Sequence, residues 1–155
     1  MGRIFAIGDI HGCYDKLRDL LEIIPIDWSR DRLLFIGDYI DRGPGAFDVV
    51  EHLVGLQTRH PQTVFLKGNH EEMLAEYLSG RDRMTYLYNG GRQTLESYLS
   101  RANASAEHPI PPEHLRFLQG LALYHETTDC VFVHAGLRHG VPLSRLPILT
   151  LQGIE

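Results

Sequence analysis

Gly8-Asp9-Ile10-His11-Gly12 closes a short apolar run, and the same device returns in Gly37-Asp38-Tyr39-Ile40-Asp41-Arg42-Gly43 and in Gly68-Asn69-His70-Glu71. The runs that feed these motifs, residues 3–7, 32–36 and 63–66, end in Gly-Asp or Lys-Gly-Asn, which suits buried strands of a parallel sheet. Helical patterns lie between them. Residues 14–24 set Leu17, Leu20, Leu21 and Ile24 at i, i+3, i+4 and i+7, and Phe47, Val50 and Val54 repeat a comparable stripe. Both stripes should face the sheet. Strand, helix and strand in order make two consecutive βαβ units with spacers of equal length, 13–36 and 44–67. Right-handed crossovers then put all three motif loops on one edge, outside the carboxyl ends of the strands, where open α/β sheets bind ligands.

Beyond the third motif the pattern predicts helices over 71–78, 95–99 and 112–121, the last with a Pro start, and a loop over 102–112. Residues 75–125 therefore read as a helical cap or insert. Tyr86-Leu87-Tyr88-Asn89-Gly90-Gly91-Arg92 joins aromatics, a turn and a cation, and reads equally as a substrate cap overhanging the site or as an ordinary packed turn. Cys130-Val131-Phe132-Val133-His134-Ala135-Gly136 has the look of another buried strand ending in a ligand-type residue.

The 155 residues, 43% of them hydrophobic and 23% charged, suffice for one core and fall short of two, so 1–155 reads as a single domain. A net charge of −5 with scattered Lys and Arg gives no field for gripping nucleic acid. No apolar run nears membrane-spanning length, and Asp9 interrupts the N-terminus before a signal-peptide core could form. Cys13 and Cys130 lack CxxC spacing, which removes a thiolate zinc site and points to a reducing cytoplasm.

Oxygen and imidazole donors at three neighbouring strand ends suit two divalent cations held close together. Such a centre needs one carboxylate to bridge the ions, Asp, Asn and His around it, and a guanidinium for phosphate, which is the equipment of a two-metal phosphoesterase. Most of the nine histidines, among them His52, His60, His108, His114 and His125, read as surface or packing residues. His70-Glu71-Glu72-Met73-Leu74 does not make a zinc-protease helix, because Leu74 stands where a second His is needed.

The three motifs in this order, followed by His134-Ala135-Gly136, resemble the calcineurin-like metallophosphoesterase superfamily over roughly residues 3–140. The resemblance is to its phosphoprotein-phosphatase branch, which holds bacterial and phage serine/threonine phosphatases and diadenosine-tetraphosphate-hydrolase relatives. It implies an α/β metallophosphoesterase sandwich of βαβ units and mixed sheets flanked by helices. It also implies that Asp9 and His11 bind one metal, that Asp38 bridges, and that Asn69 and His134 bind the second, with a water or hydroxide between the ions as nucleophile. Arg42 would clamp phosphate oxygens, Asn69 would help hold the substrate, and His70 would protonate the departing alkoxide. Asp41 would hold the other His70 nitrogen and keep the ring cationic. The ligand set suits manganese first, with iron or zinc as alternatives.

The expected reaction is metal-dependent hydrolysis of phosphate monoesters, on a phosphorylated protein at Ser or Thr or on a small phosphoester. Hydrolysis of diadenosine polyphosphates is the alternative within the family. The family also carries a later Gly-His-Thr motif and a further Arg, and neither is present here. In their place stands Val141-Pro142-Leu143-Ser144-Arg145 and an apolar tail to Glu155. The expectation is an aberrant tail over 141–155 on a fold incomplete at its C-terminus, from a truncated, frame-shifted or split phosphatase, with a weakly active or non-catalytic metal-binding remnant as the remaining reading. His139 reads as a surface residue rather than a substitute ligand.

Overall fold

The three apolar runs form parallel strands in a computed structural model that describes residues 2–101, 109–137 and 139–143. β1 (Ile4–Ile7) pairs with β2 (Arg32–Phe35), and β2 with β3 (Val64–Phe65), in the order β1-β2-β3. The register sets Ile7 beside Phe35 and Phe35 beside Phe65. α1 (Tyr14–Ile23) and α2 (Ala46–Arg59) are the two crossovers. Leu33, Leu34 and Phe35 in the central strand are buried, as expected for a strand covered on both faces.

The helix faces depart from the predicted stripes. In α2 the buried positions are Ala46, Val49, Val50, Leu53 and Leu56, whereas Phe47 and Val54 lie half-buried at the margin. In α1 Leu17 is buried, Leu21 is half-buried and Leu20 is 38% exposed. The cause is position: among the described residues β1 has a strand partner on one side only, and Ile4 is itself 37% exposed. The outer half of the α1 stripe thus runs past the edge of the three-stranded sheet.

At the amino end of the strands, Asp31 is buried and gathers four donors. It accepts from the Arg3 amide (2.9 Å), Arg3 Nε (3.1 Å), Arg3 Nη2 (2.6 Å) and the Asp27 amide (3.0 Å). The paired guanidinium and these bonds hold the Asp31 carboxyl well below the usual carboxylate range. Nearby, Trp28 lies flat on His60, ring centroids 3.6 Å apart and planes 12° from parallel.

After β3 come α3 (Asn69–Leu78), α4 (Arg83–Tyr86), a wider π-type turn (Leu87–Gly91), α5 (Arg92–Arg101) and α6 (Pro112–Gln119). α3 begins two residues before the predicted start, so Asn69 and His70 open the helix. The stretch read as a turn at 86–92 is helical on both sides of a kink at Gly90, whose φ of 103° only glycine takes easily. Residues 102–108 of the predicted loop and 144–155 of the predicted tail lie outside the described residues. Phe117 of α6 meets Phe65 edge-on, and Phe65 stacks on Phe35, which closes the core beneath the sheet.

β4 (Tyr124–Glu126) and β5 (Val131–Val133) pair antiparallel as a separate two-stranded sheet. The strand predicted near 130–136 exists, but it is not buried: Val131 is 37% exposed and Phe132 and Val133 are half-buried. A two-stranded ribbon outside the main sheet covers one face at most. Leu66 bridges to Ala122, which ties this part of the chain to the β3 end. Among the described residues no helix is long and apolar enough to cross a membrane.

Candidate metal centre

The first two motifs leave the carboxyl ends of their strands through a tightly bent backbone, and the third passes through extended Gly68 directly into α3. His11 (φ 46°), Asp38 (φ 55°), Asp41 (φ 69°) and Arg42 (φ 66°) all adopt the left-handed conformation, which costs on the order of 1–2 kcal/mol for each non-glycine residue. Main-chain bonds between the motifs hold the bends. The amides of Ile10 and His11 both donate to the Asp38 carbonyl at 2.9 Å, Gly12 donates to Tyr39 at 2.8 Å, and Gly43 donates to His11 at 3.0 Å. Gly68 sits so close to Asp38 that a Cβ there would overlap the carboxylate Oδ1.

Glu71 laces the second motif to the third. Its buried carboxylate accepts the amides of Asp38, Tyr39 and Gly68, each at 2.9 Å. Burial and the neighbouring Asp38 charge push the Glu71 carboxyl up to about 7 against the pull of these three amides. Glu71 closes the third motif and opens the predicted helix, but the motif assigns it no role in holding the site together. An acidic residue at the third helical position after a glycine cap was the available signal.

The side chains expected to bind metal converge. Single donor atoms of Asp9, Asp38 and His134 lie within 4.8 Å of one another, as do donors of His11, Asp38 and His70. Asp38 belongs to both groups, the position a bridging carboxylate needs. The grouping differs in detail from the expected one, since Asp9 clusters with His134, although His11 Nε2 is also 4.0 Å from Asp9 Oδ2. Asn69 Oδ1 lies 3.1 Å from His134 Nε2. His139 is exposed and belongs to neither group.

The imidazoles are set for coordination. His11 Nδ1 lies 2.9 Å from the Ile40 carbonyl and His134 Nδ1 lies 2.9 Å from the Ile36 carbonyl, so each Nδ1–H donates to the main chain. That tautomer leaves Nε2 facing Asp38 Oδ2, at 3.6 Å from His11 and 3.4 Å from His134. Burial disfavours the Asp38 carboxylate, but the contact with His134 and its charge, with smaller help from His70, bring it below its ordinary value. Burial likewise opposes the His134 imidazolium, yet Asp38 outweighs it and the net shift is upward. Two histidines with oriented nitrogens, two carboxylates and an amide oxygen, without thiolate, fit divalent first-row cations rather than a thiolate-bound metal. Cys13 and Cys130 are free and belong to neither group.

Next to these donors, His70 Nδ1 and Asp41 Oδ2 are 2.7 Å apart and both residues are buried. His70 Nε2 is left as the ring nitrogen that can meet a substrate. Arg42 is exposed, with Nη1 2.9 Å from His11 Nε2, and is not paired with Asp41. The other Asp41 oxygen accepts hydroxyls from Tyr86 (2.9 Å) and Thr94 (2.7 Å), two contacts that no motif in the sequence announced.

Comparison with known proteins gives this geometry a family. The model for calcineurin-like phosphoesterases matches residues 2–153. A symmetrical bis(5'-nucleosyl)-tetraphosphatase of Methylococcus capsulatus is 34% identical over 86% of this chain and 43% of its own length. One from Coxiella burnetii is 33% identical over 86% of this chain and 41% of its own. The chain thus spans less than half the length of these curated relatives. A crystal structure of a candidate diadenosine tetraphosphatase superposes with a TM-score of 0.64 at 25% identity, covering 92% of this chain and 54% of the other.

Proposed function

The chain belongs to the calcineurin-like phosphoesterase family, and from that membership we propose that it hydrolyses dinucleoside polyphosphates, diadenosine tetraphosphate above all, at a centre for two divalent cations. Support for the centre comes from one observation before any other: Asp38 is shared by two separate groups of metal-type donors. Support for the substrate comes from the named relatives, which carry a tetraphosphatase activity. That weighs against the phosphoserine or phosphothreonine substrate expected from the motifs, which now takes second place to the dinucleotide.

In this reading Asp9, His11, Asp38, Asn69 and His134 hold the cations, manganese being the first choice. When bound, such ions supply Lewis acidity toward phosphoryl oxygens and acidify a coordinated water. The protein does the rest. Arg42 moves off His11 to bind phosphate oxygens, for which a guanidinium fork is matched. Asn69 anchors the substrate at the start of α3. His70, with Nδ1 held by Asp41, offers a proton from Nε2 to the leaving oxygen. A nucleoside diphosphate leaves more readily than an alkoxide, so His70 contributes less on a dinucleotide than on an alkyl phosphate.

The test compares turnover of diadenosine tetraphosphate with that of a phosphothreonine peptide, with excess manganese and with chelator. Manganese-dependent hydrolysis that favours the dinucleotide and vanishes in chelator is expected. Preference for the peptide would overturn the substrate, and turnover indifferent to chelator would overturn the centre.

A further inference from the structure

Tyr86, Gly90 and Thr94 are spaced four residues apart, on one side of the helical stretch that runs from α4 through the kink into α5. All three meet the same dipeptide, Asp41-Arg42. The Tyr86 hydroxyl donates to Asp41 Oδ1 at 2.9 Å, and the Thr94 hydroxyl donates to the same oxygen at 2.7 Å. Thr94 Oγ1 also accepts the Asp41 amide at 2.8 Å. Between them, the Gly90 carbonyl accepts the Arg42 amide at 3.2 Å. A Cβ on Gly90 would come within 2.8 Å of the Arg42 nitrogen and 2.9 Å of its Cγ, and the φ of 103° would strain any other residue.

We propose that Tyr86, Gly90 and Thr94 form a clamp that positions both Asp41 and Arg42, one for His70 and the other for phosphate. The proposal rests on the reading of His70 and Arg42 given above. Its physical content is a division of the Asp41 carboxylate. Two hydroxyls occupy Oδ1, so Oδ2 alone is left to the His70 ring, and the imidazole has one orientation instead of two. The neighbouring left-handed residues, with φ of 69° and 66°, would relax without an external hold, and the clamp supplies main-chain bonds to both. Asp41, Tyr86 and Thr94 are all fully buried, so each of these hydrogen bonds is shielded from water and none is replaced by solvent when removed. On this view the helical segment 86–94 is part of the reaction centre's scaffold and not merely a cover.

The experiment uses the full chain and four variants: Tyr86→Phe, Thr94→Val, Thr94→Ser and Gly90→Ala. Tyr86→Phe and Thr94→Val each remove a hydroxyl without removing bulk. With metal bound, each should lower kcat on an alkyl phosphate about tenfold, and lower it less than threefold on nitrophenyl phosphate, with KM little changed. Thr94→Ser keeps the hydroxyl and should restore the alkyl phosphate activity. Gly90→Ala should raise KM on both substrates, because it displaces Arg42. Independently of turnover, the His70 Nδ1 proton should give a slowly exchanging downfield NMR signal in the parent and in Thr94→Ser, and exchange faster in Tyr86→Phe and Thr94→Val.

Equal losses on both phosphates, or an unchanged His70 signal in Tyr86→Phe and Thr94→Val, would overturn the clamp. A parent chain without metal-dependent hydrolysis would count against the proposed function alone, and the exchange of the His70 proton would still decide the clamp.

Discussion

The two ends of the parallel sheet handle charge by opposite means. At the amino end, one carboxylate, Asp31, meets one guanidinium and two amides on ordinary backbone, and its charge is fully answered. At the carboxyl end, Asp9, Asp38, His11 and His134 crowd together, on or near turns where four of the five left-handed non-glycine residues described are found. One end uses its ion pair to fasten the chain between α1 and β2. The other accepts backbone strain and close like charges, both unfavourable for folding, a combination typical of functional sites and the reason the proposed centre is placed there.

That contrast breaks most sharply at Asp38. Asp38→Asn preserves shape but removes the charge shared by both donor groups, and turnover should fall about 10³-fold or more on every substrate, with loss of bound metal by elemental analysis. Tight metal binding with near-normal turnover would show that the Asp38 carboxylate is not a shared metal ligand. The next effect in size belongs to His70. His70→Asn should cost about 10²-fold in kcat on alkyl phosphates and much less on nitrophenyl phosphate, with metal retained. Equal losses together with lost metal would make His70 a ligand.

The smallest effect on activity is expected at the amino end. Asp31→Asn should leave turnover per folded molecule unchanged while lowering the midpoint of urea unfolding at neutral pH. The pH dependence has a definite sign. The folded Asp31 carboxyl titrates below its ordinary 3.8, so its stabilisation is present above that pH and is lost as pH falls through the folded value. The gap between parent and Asp31→Asn should therefore close in acid. Impaired turnover in Asp31→Asn would mean that the two ends are coupled.

Periodicity made the first half of the chain legible, because each βαβ unit repeats the same alternation of apolar run, motif and stripe. The three strands, both crossovers and the gathering of Asp9, His11, Asp38, Asn69 and His70 at one sheet edge follow from it, whereas His134 stands outside the two units and was expected there only through the family resemblance. Stripes fared less well at the margin: whether Leu20 is covered depends on which strand lies at the sheet edge, a property of strand order that the helix sequence does not carry. Residues 86–94 were opaque for a different reason. Gly90 breaks a helix without ending it, so turn residues sit inside a helical stretch, and the hydrogen bonds from Tyr86 and Thr94 span 45 and 53 positions of sequence. Glu71 was hidden by its neighbours, since its partners are main-chain amides and leave no side-chain pattern. Residues 130–136 read as buried because the run is apolar, yet they form a ribbon apart from the main sheet.

Trp28, the single tryptophan, lies at the quiet end of the sheet with its indole against the His60 ring. The chain therefore carries one built-in optical probe, in the loop that enters β2, while Asp38 follows its exit. Unfolding separates indole from imidazole and changes the emission, whereas events confined to the metal-type donors leave that stacked pair untouched. A fluorescence trace would report whether the scaffold is intact while a colorimetric assay reports turnover, two independent channels read from one unlabelled sample.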